Sequence, residues 1–165
     1  MTHIQGVDLS PHFLAVAKYR QLENPKYKNI HWCHAMAEKL PYADNSQDLL
    51  MMSFVVHELP DEATRAVLKE LFRVAAPGAT IAITDNNPRS KVIQNLPSPI
   101  FTMMKSTEPW SDQYYILDFK AALEEAGFKN IVVGLTSDSI TFFILSLVGS
   151  DRSTPPNTPR LQMNS

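Results

Sequence analysis

AMAEKLPYADNSQDLLMMSFVVHELPDE, residues 35–62, holds an unbroken apolar run, Leu49, Leu50, Met51 and Met52, inside a segment spanning 48–53. Alternate side chains of a strand point to opposite faces, so a run without polar breaks predicts a strand covered on both faces, as in a parallel sheet. Pro60, Asp61 and Glu62 then open a helix, with two acids at the positive end of its dipole. Ala63, Val67, Leu71 and Val74 recur at helical spacing and predict its buried stripe. Pro77-Gly78 is expected to end that helix, and residues 80–84 read as the next strand. Strand, helix and strand in this order predict an α/β fold.

Working toward the amino end, residues 4–9 read as a strand ending near Asp8. Ser10 can cap the free N–H groups of a following helix, and Pro11 at its first position gives up no needed donor. Leu14, Ala17, Lys18 and Leu22 continue it until Asn24-Pro25, and residues 29–33 form another strand. Toward the carboxyl end, residues from about 86 to 117 carry four prolines, Met103-Met104, Trp110 and Tyr114-Tyr115, and read as a partly helical insertion packed over the sheet edge. Asp118 caps a helix reaching Ala126, and Gly127-Phe128 has the form of a Schellman stop with its trailing apolar contact. Strands at 131–135 and 140–147 follow, joined at Ser137-Asp138. Residues 1–149 thus read as one domain, and the polar, proline-bearing tail at 150–165 as disordered. There are no internal repeats.

Composition narrows the function classes. The 165 residues are 44% hydrophobic and 19% charged, within the range of an ordinary globular domain with its own core. The net charge of −2, with no Lys/Arg cluster, argues against nucleic acid as a partner. No apolar run approaches the roughly 18 residues that span a bilayer. The single cysteine, Cys33, excludes an internal disulfide and suits a reducing compartment. The amino end has no secretory or transit pattern, so the chain reads as cytoplasmic, with a plastid left open should a targeting segment lie upstream.

Three stretches together resemble class I S-adenosylmethionine (SAM)-dependent methyltransferases, of the small-molecule, quinone-biosynthesis-like kind. They are GVDLSP at 6–11, the stretch at 35–62, and ELFRVAAPGATIAITD at 70–85. The later segments FTMMKSTEPWSDQYY and LDFKAALEEAGFKNI extend the resemblance over about residues 4–148. It implies a Rossmann-like sheet with helices on both faces, SAM as cofactor, and methyl transfer to a small molecule.

The resemblance also implies site residues. Asp8 stands where an acid accepts hydrogen bonds from the ribose hydroxyls, and Leu9 beside the adenine. Ala37 and Glu38 match the adenine-contacting turn, with Met36 where the family often has Asp or Asn. Ser53 and Phe54 face the methyl donor. The family's strand order is 3-2-1-4-5-7-6, and a Gly-x-Gly-x-Gly loop after its first strand lets the backbone approach the methionine end of SAM. All five glycines here are isolated, so the chain is expected to enter the fold at the second strand, without the first strand and its loop. Loss of that strand either unpairs one edge on each neighbour or forces those neighbours together. A catalytically inactive, truncated chain that only folds or pairs with a partner is therefore the alternative reading.

Other residues carry two readings each. Asp8 is a ribose ligand or a surface acid at a turn. His57 is a base for an acceptor that carries a proton, since imidazole titrates near pH ~6.5, or a histidine packed at a turn. Trp110, Tyr114 and Tyr115 line a substrate pocket or form the core of the insertion. Met103 and Met104 read as packing. His31, Cys33 and His34 lack the spacing of a zinc site, so no metal is expected. The methyl acceptor and the oligomeric state are not legible.

Overall fold

A computed structural model of the protein describes residues 3–137 and 140–146. The tail expected to be disordered, 150–165, lies outside the described residues. Strand β1 (Ile4–Asp8) leads into helix α1 (Pro11–Glu23), a 3-10 turn (Pro25–Tyr27) and strand β2 (Ile30–His34). The Ser10 hydroxyl accepts from the Phe13 N–H at 3.3 Å, with Pro11 in the first turn, so the cap works as its residue types dictate. Parallel pairing of β1 with β2 runs from Ile4–Ile30 to Asp8–His34. Gly6 is required there: a Cβ would meet the Trp32 ring at 2.3 Å. Trp32 in turn donates from Nε1 to Gln21 on α1 at 2.8 Å.

Strand β3 (Gln47–Ser53), a 3-10 turn (Val56–Glu58), helix α2 (Asp61–Val74) and strand β4 (Ala75–Asn86) make a second β-α-β unit, again parallel. Here the structure corrects the sequence reading. Helix α2 ends at Val74, and Pro77-Gly78 lies inside the extended β4, where the register to β3 shifts between Gln47 and Leu49. Gly78 supplies the positive φ of 82° that this irregularity needs, so the dipeptide marks a bulge and not a helix stop.

The insertion contains helices α3 (Lys91–Gln94), α4 (Ser98–Thr107) and α5 (Ser111–Ile116). Helix α6 (Phe119–Glu125) is capped by Asp118, which accepts from Ala121 N–H at 3.0 Å. It stops as a Schellman motif: Phe128 N–H reaches Leu123 O at 3.1 Å, Gly127 N–H reaches Glu124 O at 3.0 Å, and Gly127 has φ 102°. Strands β5 (Ile131–Ser137) and β6 (Ile140–Ser146) close the sheet antiparallel.

The core lies between β4 and its flanking helices. Ile81 and Ile83 are fully buried against Val67, Leu68, Leu71 and Val74 of α2 and Leu123 of α6. Each such side chain contributes about 1.5–3 kcal/mol. The strand order, however, falls in two pieces, β2-β1 and β3-β4-β6-β5. Laid end to end this is the order expected from the resemblance with its first strand absent. Of the two outcomes anticipated for that absence, the observed one is a pair of unpaired edges, on β1 and on β3. Leu49 and Met51 of β3 are 59% and 77% exposed, and α1 buries no residue; Leu22, expected in its stripe, is solvent-facing.

Candidate functional site

The candidate residues lie at and just after the carboxyl ends of β1, β2 and β3, the strand ends at which ligands of open α/β sheets bind. On the β1-β2 side, Asp8 ends β1. Its Oδ1 accepts from Ser10 N–H at 2.7 Å, which holds the carboxylate at the strand end and leaves the second oxygen without a described protein partner. The chain leaving β2 is bound to it: Ala35 N–H reaches Asp8 O at 3.3 Å, and a His34 ring nitrogen contacts Leu9 O at 2.8 Å. Asp8 and Leu9 are thus bonded to the start of the turn that carries Ala37 and Glu38; Leu9 is exposed, and Ala37 and Glu38 are half-buried.

A partly buried ionic network steadies the chain that follows this turn. Glu70 accepts the Leu40 N–H at 2.6 Å, and Arg73 donates to Leu40 O, Tyr42 O and the Asp44 carboxylate. The Arg73 guanidinium, hydrogen-bonded to Glu70, holds the Glu70 carboxyl below its ordinary range. These bonds tie the loop from β2 to α2, across the division between the two sheet pieces.

On the other side of the division, β3 ends at Ser53, and Phe54 takes the left-handed conformation, φ 55°. A residue with a Cβ there costs about 1–2 kcal/mol relative to ordinary backbone. Asn45 and Asn130 share the conformation, but asparagine tolerates it. The turn at Phe54 sends the chain into Val56–Glu58 and delivers His57 beneath the sheet edge.

His57 is buried, and its Nδ1 lies 2.7 Å from Oδ1 of Asp85, near the end of β4. Asp85 is itself buried and accepts from the backbone N–H groups of Val56 (2.8 Å) and Asn86 (2.7 Å). The hydrogen bond to Asp85 raises the His57 pKa above its ordinary value; burial opposes the rise, and the charges of Asp85, Glu108 and Glu58 add to it. With the Nδ1 proton donated to Asp85, neutral His57 presents Nε2 as an acceptor. Nε2 is 3.6 Å from the Glu58 carboxylate, and the rings of Phe54 and Tyr114 meet the imidazole edge-on at 6.4 Å. Asp85 escaped the sequence reading. Its signal was an acid closing the apolar run TIAITD, where burial on a parallel strand calls for a partner.

The three aromatic candidates separate. Tyr114 belongs to the core: its hydroxyl donates to Asn86 O at 2.5 Å, and burial pushes its pKa far up. Tyr115 lines a cavity of about 340 Å³ with Ile93, Leu96 and Phe101 and the polar Gln94, Ser98 and Thr102. Trp110 precedes α5 and is partly exposed. No group of three or more His, Cys, Asp or Glu able to hold a metal exists among the described residues. None of their helices is long and apolar enough to cross a membrane.

The residues present fit the adenosine end of SAM. The second carboxylate oxygen of Asp8 is open to a vicinal diol, and the Asp8 carbonyl is bonded to Ala35, two residues before Ala37. They do not fit the methionine end: Gly6 and Gly134 lie inside strands, Gly78 in a bulge and Gly127 at a helix stop. None of these provides a backbone cradle at a strand end.

Known proteins share this fold. Residues 2–83 match the family model described as a methyltransferase domain. An arsenite methyltransferase of Halobacterium salinarum is 28% identical over 85% of this chain and 34% of its own length. A demethylmenaquinone methyltransferase of Bacillus mycoides is 27% identical over 79% of this chain and 61% of its own. The chain thus spans only part of the curated relatives it matches. A SAM-dependent methyltransferase of Aquifex aeolicus has the same fold, with a TM-score of 0.65 over 88% of this chain and 69% of that one, at 24% identity.

Proposed function

This chain belongs to the class I SAM-dependent methyltransferases, and from that premise we propose that it carries the adenosine-binding and acceptor-side parts of a methyl-transfer site for a small molecule. The clustering of Asp8, Leu9, Ala37 and Glu38 at the strand ends carries the reading. Asp8 accepts the ribose hydroxyls, while Leu9 and the turn at Ala37 and Glu38 pack the adenine. Bound SAM supplies an electrophilic methyl group on a sulfonium, so catalysis consists chiefly of alignment. Ser53 and Phe54 shape the wall nearest the transferred group. For an acceptor that carries a proton, His57 Nε2 takes it, and Asp85 holds the imidazole in the tautomer able to do so. The cavity beside Tyr115, lined by Ile93, Leu96 and Phe101 and by Gln94, Ser98 and Thr102, offers both apolar and polar contacts to a small-molecule acceptor.

Isothermal titration tests the reading. The expected result is binding of SAM, S-adenosylhomocysteine and adenosine with affinities within ~3-fold of one another, a difference under about 0.7 kcal/mol, because only adenosine-side groups are in place. Asp8→Ala should weaken all three by roughly tenfold, the loss of one charged hydrogen-bonding group. Absence of binding for every ligand at millimolar concentration overturns the proposal. It would leave the second reading, a chain that folds and pairs without transferring methyl groups, which the divided sheet favours.

A further inference from the structure

Resting on the methyl-transfer reading, we propose that the acceptor taken at His57 is an amine, which enters as its ammonium cation and is held between the imidazole and the Glu58 carboxylate. His57 is 7% exposed, and its Nδ1 is occupied by Asp85. Among the described residues, none donates a hydrogen bond to Nε2. The group facing it, the Glu58 carboxylate, stands 3.6 Å away and is itself an acceptor. Two acceptors so placed call for a ligand that donates to both. A donor about 2.9 Å from each spans the gap, and it needs two hydrogens to give. An ammonium group has them. A hydroxyl carries one, and a carbon acid offers no N–H or O–H at all.

Charge points the same way. Besides Asp85, the carboxylates of Glu58 and half-buried Glu108 act on the imidazole, and Glu108 acts on Tyr115 as well. Lys105 on α4 does not offset them, because Asp112 pairs with it. Taking a proton from a neutral hydroxyl or carbon acid builds negative charge on the acceptor, which these carboxylates repel. An amine begins as a cation and becomes neutral as Nε2 takes its proton. Its freed lone pair then forms the N–CH3 bond while the carbon–sulfur bond of SAM breaks and that electron pair stays on sulfur. The product is again a cation, and the proton on Nε2 leaves through exposed Glu58 to solvent. Phe54 adds an aromatic surface at the same place: its ring is exposed and meets the imidazole edge-on. Such a ring suits both the cation and an apolar substituent beside it.

The test uses the whole chain without SAM. Phenethylamine and its near-isosteres phenethyl alcohol and hydrocinnamate are titrated in, and the His57 ring protons are followed by NMR. Phenethylamine should move His57 saturably and bind at least ~10-fold more tightly than either analogue. Glu58→Gln, a change at an exposed side chain, should weaken the amine by about tenfold and leave the alcohol unchanged. A histidine paired with Glu58 for structure alone would change its titration on this substitution but show no preference among the probes. Equal affinities, tighter binding of hydrocinnamate, no saturable shift at His57, or an equal loss for amine and alcohol in Glu58→Gln would each overturn the proposal. Separate titration with S-adenosylhomocysteine keeps the two readings apart. Loss of the amine preference in a chain that still binds it overturns the amine site alone. An amine preference without binding of S-adenosylhomocysteine upholds the amine site and removes the adenosine reading.

Discussion

At the scale of single residues, the buried pair His57 and Asp85 makes the sharpest commitments. Because Asp85 raises the His57 pKa while burial lowers it, Asp85→Asn should drop the His57 titration to its ordinary value of about 6.5 or below, read by proton NMR of the imidazole. The sign of the linkage follows from the same shift. A raised folded-state pKa contributes stability that is complete below the unfolded value near ~6.5 and is lost as pH rises through the folded value. Wild type should therefore lose stability across that window in chemical denaturation, and Asp85→Asn should lose this dependence. Phe54 makes a different commitment. Alanine normally outranks glycine in a strand, but at φ 55° the order should invert, with Phe54→Gly more stable than Phe54→Ala by about 1 kcal/mol in thermal unfolding. His57 was legible as a candidate from its place after an apolar strand. The pairing of Asp85 with His57 and the strain at Phe54 were not, because one needs a contact across 28 residues and the other a backbone angle.

At the scale of elements, local chemistry was read well wherever a side chain bonds its own neighbourhood. The Ser10-Pro11 start, the Asp118 cap and the Gly127 stop all rest on contacts within a few residues. Gly127→Ala should cost about 2 kcal/mol in chemical denaturation, since φ is 102° and a Cβ would stand 2.8 Å from the Phe72 ring. A cost below about 0.5 kcal/mol would deny the stop its role. Pro77-Gly78 failed as a helix stop because proline and glycine punctuate bulges and helix ends alike, and pairing with β3 decided between them. The stripe of α2 was partly legible. Thr64 and Leu68 are buried with Val67, Leu71 and Val74, whereas Ala63, expected in the stripe, is half-buried.

At the scale of the molecule, the family order of strands was legible from three stretches in sequence. That the sheet divides and does not close up was not legible. It depends on the loop from β2 being held to α2 by Arg73 and Glu70, and on core contacts from Val7 and Ala37. The same division separates the residues proposed to hold adenosine, on the β1-β2 side, from Ser53, Phe54 and His57 on the β3 side. The adenosine half is the central claim, and amide chemical-shift mapping on addition of S-adenosylhomocysteine tests it most directly. Shifts should concentrate at Asp8, Leu9, Met36, Ala37 and Glu38, and Asp8→Ala should weaken them. Saturating ligand that leaves these amides unmoved, or moves a different surface, would contradict the account.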